Sequence, residues 1–297
     1  MRIVDFHTHT FPDKIAAPAI KALQESSGSI AHIDGTNGAL AASMKKAGVN
    51  VSVVLPVVTN PAKASHMNHF AAKVNESFEK TGIFSIGGVH PLCSDLRAVL
   101  KEAKELGLKG VKLHPDYYRI AFNDIRIKRI IDIASEMGLF VITHAGMDIG
   151  LYPPVSCTID SIMEVVRDVN PECLILAHMG GWMNWEEVTE RLAPFVCDYT
   201  PAGSKGLSEG KGIYLDTAFS IGEIEWINPE DHKDYHQMSD EQFRIMVKAF
   251  GAERILFATD SPWADQTDYV NRINDMGLGR DELEMIFYKN AEKILKI

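Results

Sequence analysis

Residues 3–9, IVDFHTH, place an apolar segment directly before two histidines. The run Ile3–Phe6 is short and shows no helical periodicity, which predicts a β-strand. His7 and His9 alternate with a threonine, so on an extended backbone their side chains point to the same side. Two imidazoles arranged in this way can bind one metal ion, although a His-x-His pair on its own is a weak signal.

Seven further apolar runs follow along the chain: Val49–Pro56, Ile83–Val89, Gly110–Leu113, Leu139–Thr143, Leu174–Ala177, Ile213–Asp216 and Ile255–Ala258. They are continuous rather than alternating, which is typical of parallel strands covered on both faces. Helical patterns lie between them, the clearest being Asn123–Met137, Thr158–Val169, Asp240–Phe250 and Arg280–Leu295. Eight strands alternating with helices predict an α/β fold, a distorted (β/α)8 TIM barrel without a separate second domain.

The whole chain, residues 1–297, is accordingly predicted to be a single domain. Two polar, irregular segments, Tyr199–Gly212 and Gly222–His236, fall where the loops after late strands belong. We interpret them as active-site loops or a lid, with plain surface insertions as the alternative.

The composition is that of an ordinary globular protein, with 46% apolar residues, 24% charged residues and a net charge of −10. This charge disfavours a protein that binds the nucleic-acid backbone. No apolar run reaches the ~18–20 residues of a membrane helix, and the first strand begins too early for a signal peptide. The four cysteines form no CxxC pair, which favours a cytoplasmic protein with reduced thiols. We expect a small-molecule substrate and neither nucleic-acid nor membrane partners; a homo-oligomer is left open.

Six of the eleven histidines stand at or just beyond the carboxyl end of a predicted strand: His7, His9, His90, His114, His144 and His178. Asp260 follows the last strand. In a parallel barrel all these ends lie on one face, where active sites are built. Imidazoles converging with a carboxylate suit Zn²⁺ or a similar divalent ion. Separately hydrogen-bonded core histidines are the structural alternative.

The ordered motifs resemble those of one known superfamily: DFHTH (5–9), KLHP (112–115), ITHAG (142–146), AHMGG (177–181), ATDSPW (258–263) and YKNAEKIL (288–295). They resemble the metal-dependent barrel enzymes of the amidohydrolase superfamily. Within it, the chain is similar to the amidohydrolase-related subgroup that includes aminocarboxymuconate semialdehyde decarboxylase and small lactonases. The resemblance covers essentially the whole chain.

The resemblance implies a role for each ligand position. His7, His9, His144 and Asp260 would bind the metal, for which Zn²⁺ is favoured, with one ion expected and a second left open. Asp260 would also accept the proton of a metal-bound water, and His178 would bind a second metal or orient the nucleophile and polarise the substrate. The chemistry agrees, because a metal lowers the pKa of bound water to about 7.

Four further residues are candidates for substrate contact. Lys112 is interpreted as a cationic anchor for a substrate carboxylate; a carbamate bridging two metals, as in dihydroorotase-like members, or a structural ion pair are the alternatives. His114 would contact substrate or hydrogen-bond a ligand. His90 would contact substrate or hold a turn, Arg119 would grip a carboxylate, and Trp263 would form a pocket wall or pack on a loop.

The main functional prediction is a metal-dependent hydrolase in which activated water attacks an amide, lactone or ester carbon. The alternative is a non-oxidative decarboxylase of an unsaturated or aromatic acid, with Lys112 or Arg119 holding the carboxylate. Two minority hypotheses remain. His90 lies in a GxHP turn like that of TatD-like deoxyribonucleases, whose strand-four glutamate is missing here. The other is a catalytically dead binding barrel.

Overall fold

The strands of the computed structural model run parallel around a closed barrel, which confirms the predicted (β/α)8 TIM fold. The structure describes residues 1–151, 153–197, 199–200, 203–204 and 212–297. Within these ranges, eight barrel strands follow in order: Val4–Thr8, Val51–Val54, Ile83–Ser85 with Gly87–Gly88, Gly110–Leu113, Phe140–Thr143, Leu174–Leu176, Ile213–Asp216 and Ile255–Leu256. We refer to them as the first to eighth strands. The predicted loop Tyr199–Gly212 lies largely outside the described residues; its described part includes a short antiparallel pairing of Tyr199–Thr200 with Gly203–Ser204.

Every neighbouring pair of barrel strands is parallel, and the ends of the chain close the ring. The backbone N–H of Phe6 donates to the Phe257 carbonyl at 2.9 Å, and the N–H of Asp260 donates to the His7 carbonyl at 2.8 Å. The first and eighth strands are therefore neighbours, which brings His7 and Asp260 to the same end of the barrel.

A buried carboxylate holds this seam together. Asp5 accepts hydrogen bonds from the backbone N–H and the hydroxyl of Thr259 and from the side-chain amide of Gln266. All three side chains are fully buried. Burial raises the pKa of Asp5 to about 6, although its hydrogen bonds oppose that shift. This network holds the first and eighth strands together directly before His7 and Asp260 in the sequence.

Helices cover the outside of the barrel. The longer ones are Asp13–Ser27, Asn37–Ala47, Ala64–Asn75, Leu96–Glu105, Ile125–Glu136, Ile159–Val169, Asp240–Phe250 and Gln266–Asp275. Short α-helical pieces are Phe78–Thr81, Pro115–Tyr118, Trp185–Glu187, Ala193–Cys197, Arg280–Glu284 and Asn290–Leu295, with π-helical turns at Val188–Leu192 and Met285–Lys289. The main apolar core lies between helices and strands, and a second cluster that includes Phe6, Ile142 and Ile175 fills the barrel interior.

The first, second, fifth and sixth strands differ from the predicted ones by one or two residues at their ends, and the third and eighth differ for a local reason. The third strand is interrupted at Ile86, where its pairing changes from the second strand to the fourth. The Ile86 N–H donates to the Val54 carbonyl, and the Gly88 N–H donates to the side-chain oxygen of the buried Asn68. The eighth strand ends early because the Phe257 N–H donates to the carbonyl of Ile286 in the last helical segment.

No helix in the described part of the chain is long and apolar enough to cross a membrane.

Candidate metal centre

A cavity of about 490 Å³ opens at the carboxyl ends of the strands. Most of the residues predicted for the site line it: His7, His9, Lys112, His114, His144, His178, Asp260 and Trp263. This is the face on which TIM barrels carry their active sites, and the volume is typical of small-molecule pockets.

Three potential ligand atoms form a nearly regular triangle at the base of this cavity. His7 Nε2 and His9 Nε2 lie 3.2 Å apart, and Asp260 Oδ1 lies 3.4 Å from the first and 3.1 Å from the second. Ligands at about 2.0–2.2 Å from one ion, in tetrahedral or octahedral geometry, are separated by about 3.0–3.4 Å. The three atoms therefore fit a single divalent metal.

The outer nitrogens of both histidines are held by acceptors, which fixes their tautomers. His7 Nδ1 donates to the Asp216 carboxylate at 2.8 Å, and His9 Nδ1 donates to the Leu55 carbonyl at 2.9 Å. In the neutral imidazole the remaining Nε2 then carries a lone pair. Both lone pairs are thus available to a metal, in the arrangement by which metal-binding histidines are commonly oriented.

A second pair of histidines continues this chain of hydrogen bonds. His178 Nδ1 donates to the Ala218 carbonyl at 2.9 Å, so its Nε2 accepts from His144 Nδ1 at 3.0 Å. His144 Nε2 is left with a lone pair, and it is buried without a hydrogen-bond partner among the described residues. An orphaned buried nitrogen of this kind is a further feature that fits a metal.

Burial keeps these imidazoles neutral. It lowers the pKa of His7 and of His144 well below the usual range, and it lowers the pKa of His178 to about 4. Metal binding requires unprotonated imidazoles, so the protein needs to displace no proton from these residues at neutral pH.

Lys112 lies beside the triangle. Its Nζ is 3.4 Å from His7 Nε2, and the side chain is only 1% exposed. Burial lowers its pKa, while Asp216 and Asp260 act in the opposite direction. Among the described lining residues it is the one lysine, and no arginine lines the cavity.

His144 also belongs to a second group of potential ligands, with His114 and Asp148. His114 Nε2 lies 3.2 Å from Asp148 Oδ2, and the rings of His114 and His144 stack with centroids 4.3 Å apart. The predicted set of four ligands is therefore divided: three lie in the triangle, and His144 lies between it and this neighbouring pair.

The backbone is strained where it delivers two of these side chains. Asp260 and His178 both have positive φ, 67° and 57°, in a region that residues with a Cβ rarely adopt. Such conformations cost of order 1–3 kcal/mol each and cluster at functional sites.

Two predicted residues do not reach the cavity. His90 is buried against Tyr118, and its Nδ1 accepts the backbone N–H of Leu92 at 3.1 Å, so it holds the turn. Arg119 is exposed and does not line the cavity. The turn alternative fits His90, and the structure gives Arg119 no place near the metal triangle.

Three features of the site lay outside the prediction. Asp216 accepts a hydrogen bond from His7 and, through its other oxygen, accepts the backbone N–H of His178. Asp148 pairs with His114, and its position four residues after His144 was the one available signal. The apolar walls from the helices after the first two strands gave no signal at all.

Comparison with known proteins places the chain in a family. The family model described as Amidohydrolase matches residues 4–297. Three solved structures share the fold. An uncharacterised TIM-barrel protein from Bordetella bronchiseptica is 18% identical, with 100% of this chain and 99% of that chain covered and a TM-score of 0.71. The 5-carboxyvanillate decarboxylase of Sphingomonas paucimobilis is 15% identical, with coverage of 100% and 99% and a TM-score of 0.65.

The third is a dihydroxybenzoic acid decarboxylase from a Polaromonas species, with bound manganese and the inhibitor 2-nitroresorcinol. It is 13% identical, with 99% of this chain and 97% of that chain covered and a TM-score of 0.65. No curated protein sequence matches the chain significantly. The likeness to these structures establishes the fold, and the family model establishes the membership. The chain belongs to the amidohydrolase family of enzymes, as its motifs predicted.

Proposed function

We propose that this enzyme is a metal-dependent, non-oxidative decarboxylase of a small aromatic or unsaturated acid. The observation that carries the proposal is the position of Lys112, buried 3.4 Å from a potential metal ligand in a largely apolar cavity. A substrate carboxylate at this end of the cavity would accept a hydrogen bond from the Lys112 ammonium group beside the residues that would hold the metal. The decarboxylase names of two structural neighbours support this choice over hydrolysis.

In this proposal each side chain has a separate task. His7, His9 and Asp260 would hold the ion, with His144 beside them, and a divalent metal bound there would supply a positive centre for the acid and for developing negative charge. Lys112 orients the carboxylate. The bond to the carboxyl carbon breaks, CO₂ leaves, and the electron pair stays on the substrate carbon, which then takes a proton.

Asp260 is the best placed residue to carry that proton. Its Oδ1 belongs to the triangle, which leaves Oδ2 for proton transfer. His178 is less suited to this task, because both of its ring nitrogens already make hydrogen bonds. We therefore assign His178 to orienting His144.

The native metal is proposed to be Mn²⁺ or Zn²⁺. The nitrogen and carboxylate ligands suit either ion, and sequence reasoning favours zinc. A neighbouring structure with bound manganese supports the first choice. Elemental analysis of protein purified without chelator distinguishes the two and gives the number of ions per chain.

The test is a panel of acids and hydrolysable compounds offered to protein loaded with each metal. We expect CO₂ from a 2-hydroxybenzoate such as 2,6-dihydroxybenzoate or 5-carboxyvanillate, and a Lys112→Met variant at least 10²-fold lower in kcat/KM. Lys109→Met, which removes an exposed lysine before the same strand, is the matched control and should retain full activity.

Hydrolysis is the second candidate, and the description of the matching family, Amidohydrolase, is the observation that supports it. Acid release from a lactone, ester or amide, without CO₂ from any acid tested, would replace the proposed reaction with hydrolysis. In that reaction Asp260 would take the proton of the attacking water.

A further inference from the structure

The cavity continues beyond the metal centre as an apolar arm. Its walls come from the helices that follow the first two strands, Asp13–Ser27 and Ala64–Asn75. We define the arm by five lining side chains, Ile15, Leu23, Val57, Met67 and Phe70. None of the predicted site residues lies among them, so metal binding and proton transfer leave the arm without a role.

Among the described lining residues, the arm has no lysine, arginine or carboxylate of its own, although the exposed imidazole of His66 lines the cavity on the same helix as Met67 and Phe70. The lysine and carboxylates among the described lining residues are Lys112, Asp148 and Asp260, and each lies with the histidines of the metal end. The nearby hydroxyls of Ser26 and Ser27 both donate to the Leu23 carbonyl of their own helix. Apart from the imidazole of His66, a ligand group in the arm would thus meet mainly hydrocarbon, and the hydroxyls of Ser26 and Ser27 are already hydrogen-bonded.

The outer end of the arm leaves large apolar side chains in contact with solvent. Ile15 is 51% exposed and Phe70 is 39% exposed, and both line the cavity. Apolar surface of this kind, continuous with a functional pocket, marks a binding groove. Covering it removes hydrocarbon from water and so favours an apolar ligand.

The size of the cavity also favours a ligand with an apolar tail. Pockets of about 300–1,000 Å³ hold drug-sized ligands, and this cavity of about 490 Å³ falls within that range. An acid with a single unsubstituted ring would occupy the metal end and leave the arm filled with water. A longer ligand would occupy both ends.

We propose that the substrate is an amphipathic acid whose carboxylate binds at the metal centre and whose apolar tail, attached opposite the carboxylate, lies in the arm between Ile15 and Phe70. This inference rests on the proposed function for its head group, and it adds the tail. A 2,6-dihydroxybenzoate with an alkyl chain para to the carboxylate is the corresponding chemical class. Its decarboxylation product is a 5-alkylresorcinol.

The test measures binding rather than turnover, so it does not depend on the reaction. Resorcinol and its 5-methyl, 5-propyl and 5-pentyl derivatives are titrated by calorimetry into the manganese-loaded protein. Burial of one methylene contributes a factor of roughly three to four in affinity. We therefore expect Kd to fall by about tenfold between the propyl and pentyl compounds.

The variants Ile15→Asp and Phe70→Asp locate the tail. Because both residues are substantially exposed, the substitutions should leave the fold intact. Each variant should weaken the binding of 5-pentylresorcinol at least tenfold and leave the affinity for resorcinol unchanged. Ile245→Asp is the matched control: it changes an isoleucine that is 44% exposed and lies outside the cavity, and it should alter neither affinity.

Each other outcome overturns the inference. A flat series of affinities, no binding by any member, or equal losses in Ile245→Asp would exclude an arm that binds a tail. A change from dimer to monomer in the arm variants, with tail affinity unchanged, would assign Ile15 and Phe70 to an interface between copies. If the series behaves as expected but no acid releases CO₂, the proposed reaction fails and the arm stands.

Discussion

Asp216 controls the orientation of His7 from outside the metal triangle. Its carboxylate accepts His7 Nδ1 at 2.8 Å, and both side chains are essentially fully buried. Replacing Asp216 by Asn keeps the shape but removes the charge that fixes the tautomer. We expect Asp216→Asn to weaken metal binding by roughly 10–100-fold, which is typical when such a partner is lost. Competition with a fluorescent chelator measures the change.

The control for Asp216→Asn is a measurement of whether the variant keeps the wild-type fold. A circular dichroism spectrum and an apo-protein unfolding curve close to wild type would place the effect at the metal. If Asp216→Asn loads metal with wild-type affinity, His7 is oriented by the barrel wall instead, and Asp216 has only a packing role.

Sequence reasoning at this scale depends on residue types that report their chemistry directly. Histidines and an aspartate at strand ends identify a metal site because few other residues bind such ions. Asp216 carries the same kind of information, but its partner His7 is 209 positions away, so its role becomes visible only in the fold. His90 matches the histidine pattern equally well, and only its contacts with Tyr118 and Leu92 separate it from the site.

At the scale of elements, the segment Gly222–His236 is attached to the end of the first helix. The Ile30 N–H donates to the Glu225 carbonyl and the Ile227 N–H to the Gly28 carbonyl, while Ser29, which lines the cavity, pairs with Trp226. No residue of the segment lines the cavity itself, so the lid interpretation stays a prediction. A substitution that separates the two should open the rim of the cavity.

Gly28→Ala is such a substitution. A Cβ at this position would lie 2.1 Å from Nε2 of His232, whose ring stacks on Trp226 and cannot simply move aside. Gly48 ends another helix with nearly the same φ but has open space around it, so Gly48→Ala isolates the backbone strain. We expect both variants to lose of order 1 kcal/mol of unfolding free energy from strain, and only Gly28→Ala to become susceptible to proteolysis within Gly222–His236.

Equal proteolysis of the two glycine variants, or of neither, would show that the segment is held by other contacts. Chemical denaturation gives the free energies, and mass spectrometry of the fragments locates the cleavage sites.

The helix Ile125–Glu136 depends on its first turn. The Asp124 side chain caps it by accepting the Arg126 N–H, and its hydrogen bonds with Arg126 lower its pKa to about 2. A lowered folded-state pKa adds stability above the unfolded value near 4, and this contribution is lost as pH falls through 2. Asp124→Ala should thus cost about 1 kcal/mol of unfolding free energy at pH 7 and less at pH 2.

Asp132→Ala, which changes an exposed aspartate inside the same helix, serves as the reference for this measurement. A loss in Asp124→Ala that does not depend on pH would mean that the charge of the cap contributes nothing.

Element boundaries show where sequence reasoning reaches its limit. The strands Gly110–Leu113 and Ile213–Asp216 match the prediction at both ends, and turns or helices lie within a few residues of each end. The third and eighth strands do not match. Their hydrogen-bonding groups are taken by Asn68 and by the Ile286 carbonyl, and no apolar pattern encodes such distant partners.

At the scale of the whole molecule, the metal triangle joins the two ends of the chain. His7 lies in the first strand, His9 follows that strand and Asp260 follows the eighth, so an ion bound there would bridge the seam of the barrel. The fold class was predictable because alternation of strands and helices over the full length determines the barrel. The apolar arm was not, since its walls come from helices whose tilt relative to the strands is set by packing.

This position of the ion predicts that metal binding stabilises the barrel globally rather than locally. A ligand that binds only the folded state raises the free energy of unfolding by RT ln(1 + [L]/Kd), which is about 4 kcal/mol when the ligand concentration is a thousand times Kd. Removal of metal by a chelator should lower the Tm by several degrees in a single cooperative transition. In Asp260→Asn, which keeps the shape of the side chain but weakens the third ligand, the added stability should largely disappear, while the apo Tm stays near that of the wild-type apo protein. Differential scanning calorimetry with and without Mn²⁺ or Zn²⁺ measures both quantities. A metal-dependent increment of the same size in Asp260→Asn would mean that the ion binds elsewhere, and the group of His114, His144 and Asp148 would then be the site to test.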